Sequence, residues 1–284
     1  MGFSFYVPSQ LLECLIYYLI HFYCMKIYKC VIESIKKIIF NDSYIGKYYI
    51  NKQTHSKYSL NDILIDILYV LKTGIAWRDL RSHIKWTSVY WHFKRFTKRN
   101  IFKKMFLKMR NKAIKNTQSN ILLIDTSFIC NKYGINNVSR NKFNKNKKCN
   151  KLSCVTDEFG VPFSICANKG TLHDIKFFDV HYKDLSNSFS KNKYKYLLAD
   201  KAYFSADLRN KLIVNNCNLM VPNKKNSNKQ YPFNKNIYKK RINVEHLFSK
   251  IKSFRRIAIR YDKLFDTYMS FVYMGFSLLL FRNQ

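Results

Sequence analysis

Two short apolar runs, ILLID at 121–125 and YKYLLAD at 194–200, constrain the fold most. Each has the length of a buried strand, and each stops at an aspartate. Around them the pattern alternates. KLSCVTDEFGVPFSICANKG reads as two strands joined at Asp157–Gly160, and a helix is expected through Asp174–Asp184. AYFSADLRNKLIVNN reads as a helix and CNLMVP (217–222) as a last short strand, followed by the loop NKKNSNKQYPFNKN and a further helix. Strand and helix alternating behind a hairpin predict an α/β fold, a mixed sheet with helices on both faces. The Asn/Lys-rich stretch 131–150 carries no period and is expected to be a mobile loop.

Before residue 119 the period is helical. LNDILIDILYVLKTG repeats apolar residues every three or four positions and stops at Gly74, a residue suited to a helix C-terminus. WTSVYWHFKRFTKRN and IFKKMFLKMRNKAIKN continue as basic amphipathic helices. Residues 57–118 therefore suit helix-turn-helix docking on DNA, or equally a bundle whose bases are merely solvated. Residues 1–56 read as an uninterpreted helical extension, in which Met25 is a second candidate start. The apolar stretches 11–25 and 268–281 are too short to span a bilayer and are expected to be buried helices.

Charge narrows the partner. The chain has 51 Lys+Arg against 17 Asp+Glu, a net charge of +34. AT-rich codon bias can inflate lysine, but it does not remove acids, so a polyanion such as DNA is the expected partner. A basic membrane-surface protein is the rival reading. The eight cysteines include no CxxC pair and lack a zinc pattern, which suits reduced thiols in a cytosolic protein.

With acids so scarce, their positions are informative. Asp125 and Asp200 end strands, where α/β sheets place ligand-binding crevices, although an aspartate there is also a common turn or cap residue. Glu245 is the one acid inside the densest basic run, where eight Lys/Arg fall between Lys239 and Arg260. At about 100° per residue, Tyr238, Arg241, Glu245 and Lys252 share a helix face roughly 60° wide. Val244, Leu247, Phe248 and Ile251 form the adjoining apolar stripe. An ordinary Arg241–Glu245 salt bridge explains part of that face, but not Tyr238 or Lys252. Three converging carboxylates would repel one another unless a divalent cation such as Mg²⁺ lay between them.

Tyr238-x2-Arg241-x3-Glu245-x6-Lys252 resembles the Tyr-Arg-Glu-Lys signature of bacterial insertion-sequence transposases of the DDE type. LLIDTS (122–127) and LLADKAYFSADLR (197–209) resemble that family's segments bearing the first two catalytic aspartates, GTLHD (170–174) its Gly-x-x-His-Asp element, and LKTGIAWRDL (71–80) its N-terminal helical region. FRRIAIRYDK (254–263) resembles the stretch that follows the signature.

The resemblance covers roughly residues 58–282 and implies an RNase H-like catalytic domain over 119–284. Asp125, Asp200 and Glu245 would bind two Mg²⁺ ions, replaceable by Mn²⁺, for cleavage at element ends and strand transfer into target DNA. Tyr238, Arg241, Lys252 and Lys151 would contact DNA, as would the bases Arg255, Arg256 and Arg260. The implied partners are terminal inverted repeats, target DNA and a second copy of the chain in a dimer. The implied location, in a prokaryote, is the cytoplasm at the nucleoid. A catalytically inactive DNA-binding descendant is the alternative.

Overall fold

A computed structural model describes residues 29–43, 45–50, 57–142, 145–191, 193–223 and 229–282. The expectation for the apolar stretch 11–25 lies outside these residues. The chain begins with helix α1 (residues 29–40) and α2 (Ile45–Ile50), followed by α3 (Leu60–Thr73), α4 (Trp86–Lys98) and α5 (Ile101–Asn116). Ser59 caps α3 by accepting from the Asn61 N–H, and Gly74 closes it in the left-handed region at φ 69°. A Cβ on Gly74 would lie 2.9 Å from the Arg255 Cβ, so both the turn and the close approach require glycine.

Strand β1 (Ile121–Asn131) is the centre of a seven-stranded mixed sheet that also contains β2 (Ser139–Asn141), β3 (Lys147–Asp157) and β4 (Pro162–Lys169). The hairpin β3–β4 turns at Asp157–Gly160 as expected, and β3 lies antiparallel to β1. After α6 (Ile175–Asp184) and α7 (Ser186–Ser190), β5 (Tyr196–Leu198) joins β1 in parallel. Past α8 (Ala206–Ile213), β6 (Asn218–Met220) joins β5, also in parallel. The stretch 131–150 is not wholly loop: β1 runs to Asn131, and β2 pairs with the start of β3. Strand β2 lies at the sheet rim, where backbone pairing needs no apolar alternation, so the sequence pattern carried no sign of it.

The last segment comprises α9 (Lys235–Tyr238), a 3₁₀ turn at Lys239–Arg241, α10 (Ile242–Lys252), α11 (Arg255–Ala258), β7 (Ile259–Arg260) and α12 (Phe265–Arg282). β7 extends the sheet beside the C-terminal end of β1.

Alternation along β1 feeds two cores. Ile121, Leu123 and Ile129 join a cluster containing α1–α5 and α10–α12, whereas Leu122 and Ile124 join one built with α6 and α8. The first cluster unites the helical region, one sheet face and α12. Phe271 of α12 stacks on Phe93 of α4 at 4.6 Å between centroids, with Trp77 beside both. Helix α12 is thus a core helix, as its all-round apolarity predicts. No described helix is long and apolar enough to cross a membrane.

Candidate active site

The two aspartate motifs are aligned by hydrogen-bond register. Leu122 pairs with Leu197 and Leu123 with Leu198; two residues further on, Asp125 lies within β1, whereas Asp200 lies just past the end of β5. By strand parity Asp125 shares the face of Leu123, which α10 covers. The stripe Val244, Leu247, Phe248 and Ile251 buries α10 against that face. The turn between β3 and β4 holds its other end: Asn243 Nδ2 donates to the Glu158 carbonyl at 2.6 Å, and Lys240 pairs with the Glu158 carboxylate.

Arg241 links the carboxylates. Its Nη1 donates to Asp125 Oδ2 at 2.8 Å, and its Nη2 donates to Glu245 Oε1. The salt bridge expected between Arg241 and Glu245 is present, but the same guanidinium also spans to the strand. Its centre lies 6.0 Å from the Tyr238 ring. Burial pushes the Asp125 carboxyl up; Arg241 and the Thr126 N–H oppose this, while Asp200 adds to it. Burial works against the charge on Arg241, but Asp125, Tyr238 and Glu245 outweigh it and push its pKa up. Burial raises the Tyr238 phenol, with Arg241 opposing and both Asp200 and Asp125 reinforcing. Asp200 accepts from the Ala202 N–H and so caps the turn that follows it. Lys252 crosses to β1 and donates to Ser127 Oγ at 2.6 Å; burial lowers its pKa.

All-oxygen donors suit a hard cation such as Mg²⁺. As placed, however, no three His, Cys, Asp or Glu side chains among the described residues lie close enough together to hold one. Arg241 supplies the positive charge between Asp125 and Glu245, and a shared ion requires it to release them.

Three residues expected to contact DNA are turned inward. Arg256 is buried and gives Nε and Nη2 to the two Asp262 oxygens at 3.0 Å each, and Nη1 to the Ile75 carbonyl. Arg260 is fully buried and donates to Asn136, Asn150 and the carbonyls of Asp262 and Lys263. Lys151 is buried against Asp174, 2.7 Å away, and the Leu172 carbonyl. In each case internal acceptors consume the donors that a phosphate would need. Arg255 remains exposed.

The sequence also left out residues that brace the site. Asp174, at the end of GTLHD, accepts from Thr126 Oγ1 at 2.9 Å, which ties the residue after Asp125 to Lys151. Gly170 of the same element leaves room for the Cys149 sulfur, which a Cβ there would strike. Behind β1, buried His181 lies 2.8 Å from both Ser164 Oγ and Ser153 Oγ. Ser164 donates to Asp184, which also receives Arg110 at 2.7 Å. Ser153 Oγ lies 3.2 Å from the Asp125 carbonyl and has one hydrogen to share between it and the ring. Burial lowers the His181 pKa to about 4, so the ring is neutral.

The family model of the transposase DDE domain matches residues 116–274, more than half of the chain. A model of IS4/5-family transposases matches residues 49–106. A Brucella ovis protein named as a transposase for insertion sequence element IS6501 is 28% identical over 138 residues, 46% of this chain and 98% of that one. The cryo-EM structure of the piggyBac transposase synaptic complex with hairpin DNA aligns with a TM-score of 0.51 at 11% identity, covering 86% of this chain and 72% of that one. That likeness extends to the fold, whose sheet is of the RNase H-like kind.

Proposed function

The chain belongs to the DDE transposase family of insertion-sequence elements, and from that premise we propose that it cleaves DNA at element ends and joins the freed strand to target DNA. The observation that carries this reading is the register that pairs Leu122 with Leu197 and Leu123 with Leu198, two residues before Asp125 and Asp200, with Glu245 tied to Asp125 through Arg241. In the first step a water oxygen attacks phosphorus, the P–O3′ bond breaks, and the 3′ oxygen leaves and takes a proton. In the second, that 3′-hydroxyl loses its proton and attacks a target phosphate, the target P–O3′ bond breaks, and the target 3′ oxygen leaves and takes a proton, so the number of phosphodiesters is conserved in this step. Mg²⁺ held by Asp125, Asp200 and Glu245 would ease loss of the attacking proton and offset charge on the leaving oxygen.

The chain's own groups have definable tasks. Asp125 and Glu245, both held by Arg241, would be the residues to hold the metal, and the Arg241 guanidinium, once released, would be free for a DNA phosphate. Lys252, held by Ser127 two residues beyond Asp125, meets a second phosphate, and Tyr238 lies along the strand. Residues 57–118 supply a DNA-gripping helical region and 119–284 the catalytic one, with two copies acting together.

The test is cleavage of a DNA carrying the element's own ends. Asp125→Asn and Glu245→Gln are expected to abolish cutting while leaving DNA binding in place. Cutting that survives both substitutions refutes the assignment. Binding without cutting by the native chain in either Mg²⁺ or Mn²⁺ identifies the inactive DNA-binding descendant instead.

A further inference from the structure

At the β5–β6 edge of the sheet lies a cavity of about 420 Å³, in the size range of ligand pockets, lined by Tyr196, Arg209, Asn218, Phe233, Asn234 and their neighbours. No carboxylate lines it among the described residues. Arg209, on α8, is 9% exposed. Its Nη1 donates to the Leu219 carbonyl at 2.6 Å, and its guanidinium lies 3.8 Å from the Tyr231 ring centroid. Its Nε and Nη2 are buried and have no hydrogen-bond partner among the described residues.

An unpaired, buried guanidinium edge is costly, and proteins rarely leave one without a ligand. Nε and Nη2 point the same way in one plane and form the fork that receives two acceptors side by side. Asn234 has committed its carbonyl oxygen to the N–H groups of Asn236 and Ile237, which leaves its amide as a donor. The walls at Tyr196 and Phe233 are aromatic. The cavity adjoins the proposed active site: Ile237 lines it, and the Phe233 ring lies 5.0 Å from that of Tyr238.

We propose that this cavity is a subsite for one nucleotide of the bound DNA strand, with Arg209 Nε and Nη2 receiving a pair of in-plane acceptors and Phe233 flanking the base. The acceptors are two oxygens of one phosphate, or O6 and N7 of guanine. The proposal rests on the chain acting on DNA, and it places part of the strand's path past Tyr238 along the sheet edge.

The experiment is fluorescence anisotropy with labelled single strands of about 12 nucleotides, near the usual footprint for such strands. Metal is omitted, so the carboxylates contribute no bridging ion. Guanine is replaced by 7-deazaguanine, and phosphates by methylphosphonates, one position at a time. The expected result is one position where a replacement weakens binding by tenfold or more, and where that penalty vanishes in Arg209→Lys, which keeps the charge but lacks the fork. A penalty from 7-deazaguanine assigns the base edge, and one from methylphosphonate assigns the phosphate. Phe233→Ala, a partly exposed position, provides a second arm should Arg209→Lys fail to fold, and is expected to weaken the unmodified strand by tenfold or more. The subsite is overturned if no position stands out or if the penalty persists in the variants, whether or not the protein cuts DNA. A native chain that binds no DNA overturns both this proposal and the transposase reading.

Discussion

Replacing Arg256 with methionine separates two roles that a sequence cannot distinguish, a grip on DNA and an internal brace. The side chain is 4% exposed and engages both Asp262 oxygens at 3.0 Å. It also reaches the Ile75 carbonyl at 3.2 Å, bridging the loop after α3 to the loop after β7. Methionine fills much of the space beside Trp77 and Phe271 but leaves the Asp262 carboxylate buried without its fork. Breaking a buried pair by removing one partner costs about 3–5 kcal/mol. For a domain of this size that corresponds to a fall of roughly 10 °C in unfolding temperature. Urea denaturation of Arg256→Met should show this loss, while DNA affinity, measured well below the unfolding midpoint, stays within about twofold. Adding Asp262→Leu removes the stranded charge and should restore most of the stability. The reasoning is refuted if Arg256→Met loses less than about 1 kcal/mol and DNA affinity falls instead.

Gly74→Ala should destabilise by about 1–2 kcal/mol, because alanine is strained at positive φ and its methyl meets Arg255; an unchanged urea midpoint would show that the helix end relaxes. His181 has its folded pKa depressed to about 4 from 6.5, so the unfolded chain binds the proton first. Its contribution, about 3 kcal/mol, is therefore present above pH ~6.5 and lost as pH falls toward ~4. His181→Asn should flatten that slope, and identical slopes in the two proteins would refute the burial argument. Lys252→Met should slow cleavage by roughly ten- to a hundredfold, equivalent to about 1.4–2.7 kcal/mol, with unfolding unchanged to within about 1 kcal/mol. Lost stability with normal cleavage would make Lys252 a brace for Ser127 rather than a contact to DNA.

What the sequence made legible followed from periodicity. LLID and LLAD could be read as strand motifs because apolar runs of strand length stop at them, and the β1–β5 register pairs them leucine for leucine; only LLAD lies at a strand end, however, because backbone pairing with β3 carries β1 past Asp125 to Asn131. The shared face of Arg241 and Glu245 survives the 3₁₀ turn at Lys239–Arg241 because that turn ends at Arg241, and the residues between the two belong to α10. Burial of charge was not legible. Arg255, Arg256 and Arg260 carry the same charge in one short run, yet only Arg255 is exposed. What separates them is acceptors from distant segments, Ile75 and Asn136 among them, that no local pattern announces. Two-residue β7 and rim strand β2 were hidden for a related reason: their pairing partners, not their own side chains, define them.

The single core joining α3–α5, α12 and one sheet face has a mechanical corollary. With Phe93 stacked on Phe271, the distance from the basic end of α4 to Asp125 is set by close-packed side chains rather than by a linker. A duplex held at both places must itself supply any misfit. Smooth bending of a site by 40–90° costs on the order of 1–6 kcal/mol and is cheapest at flexible pyrimidine–purine steps. On the proposed reading, in which both regions hold DNA, the stiffness of the protein would become a preference for DNA that bends, exercised at base pairs that no side chain touches.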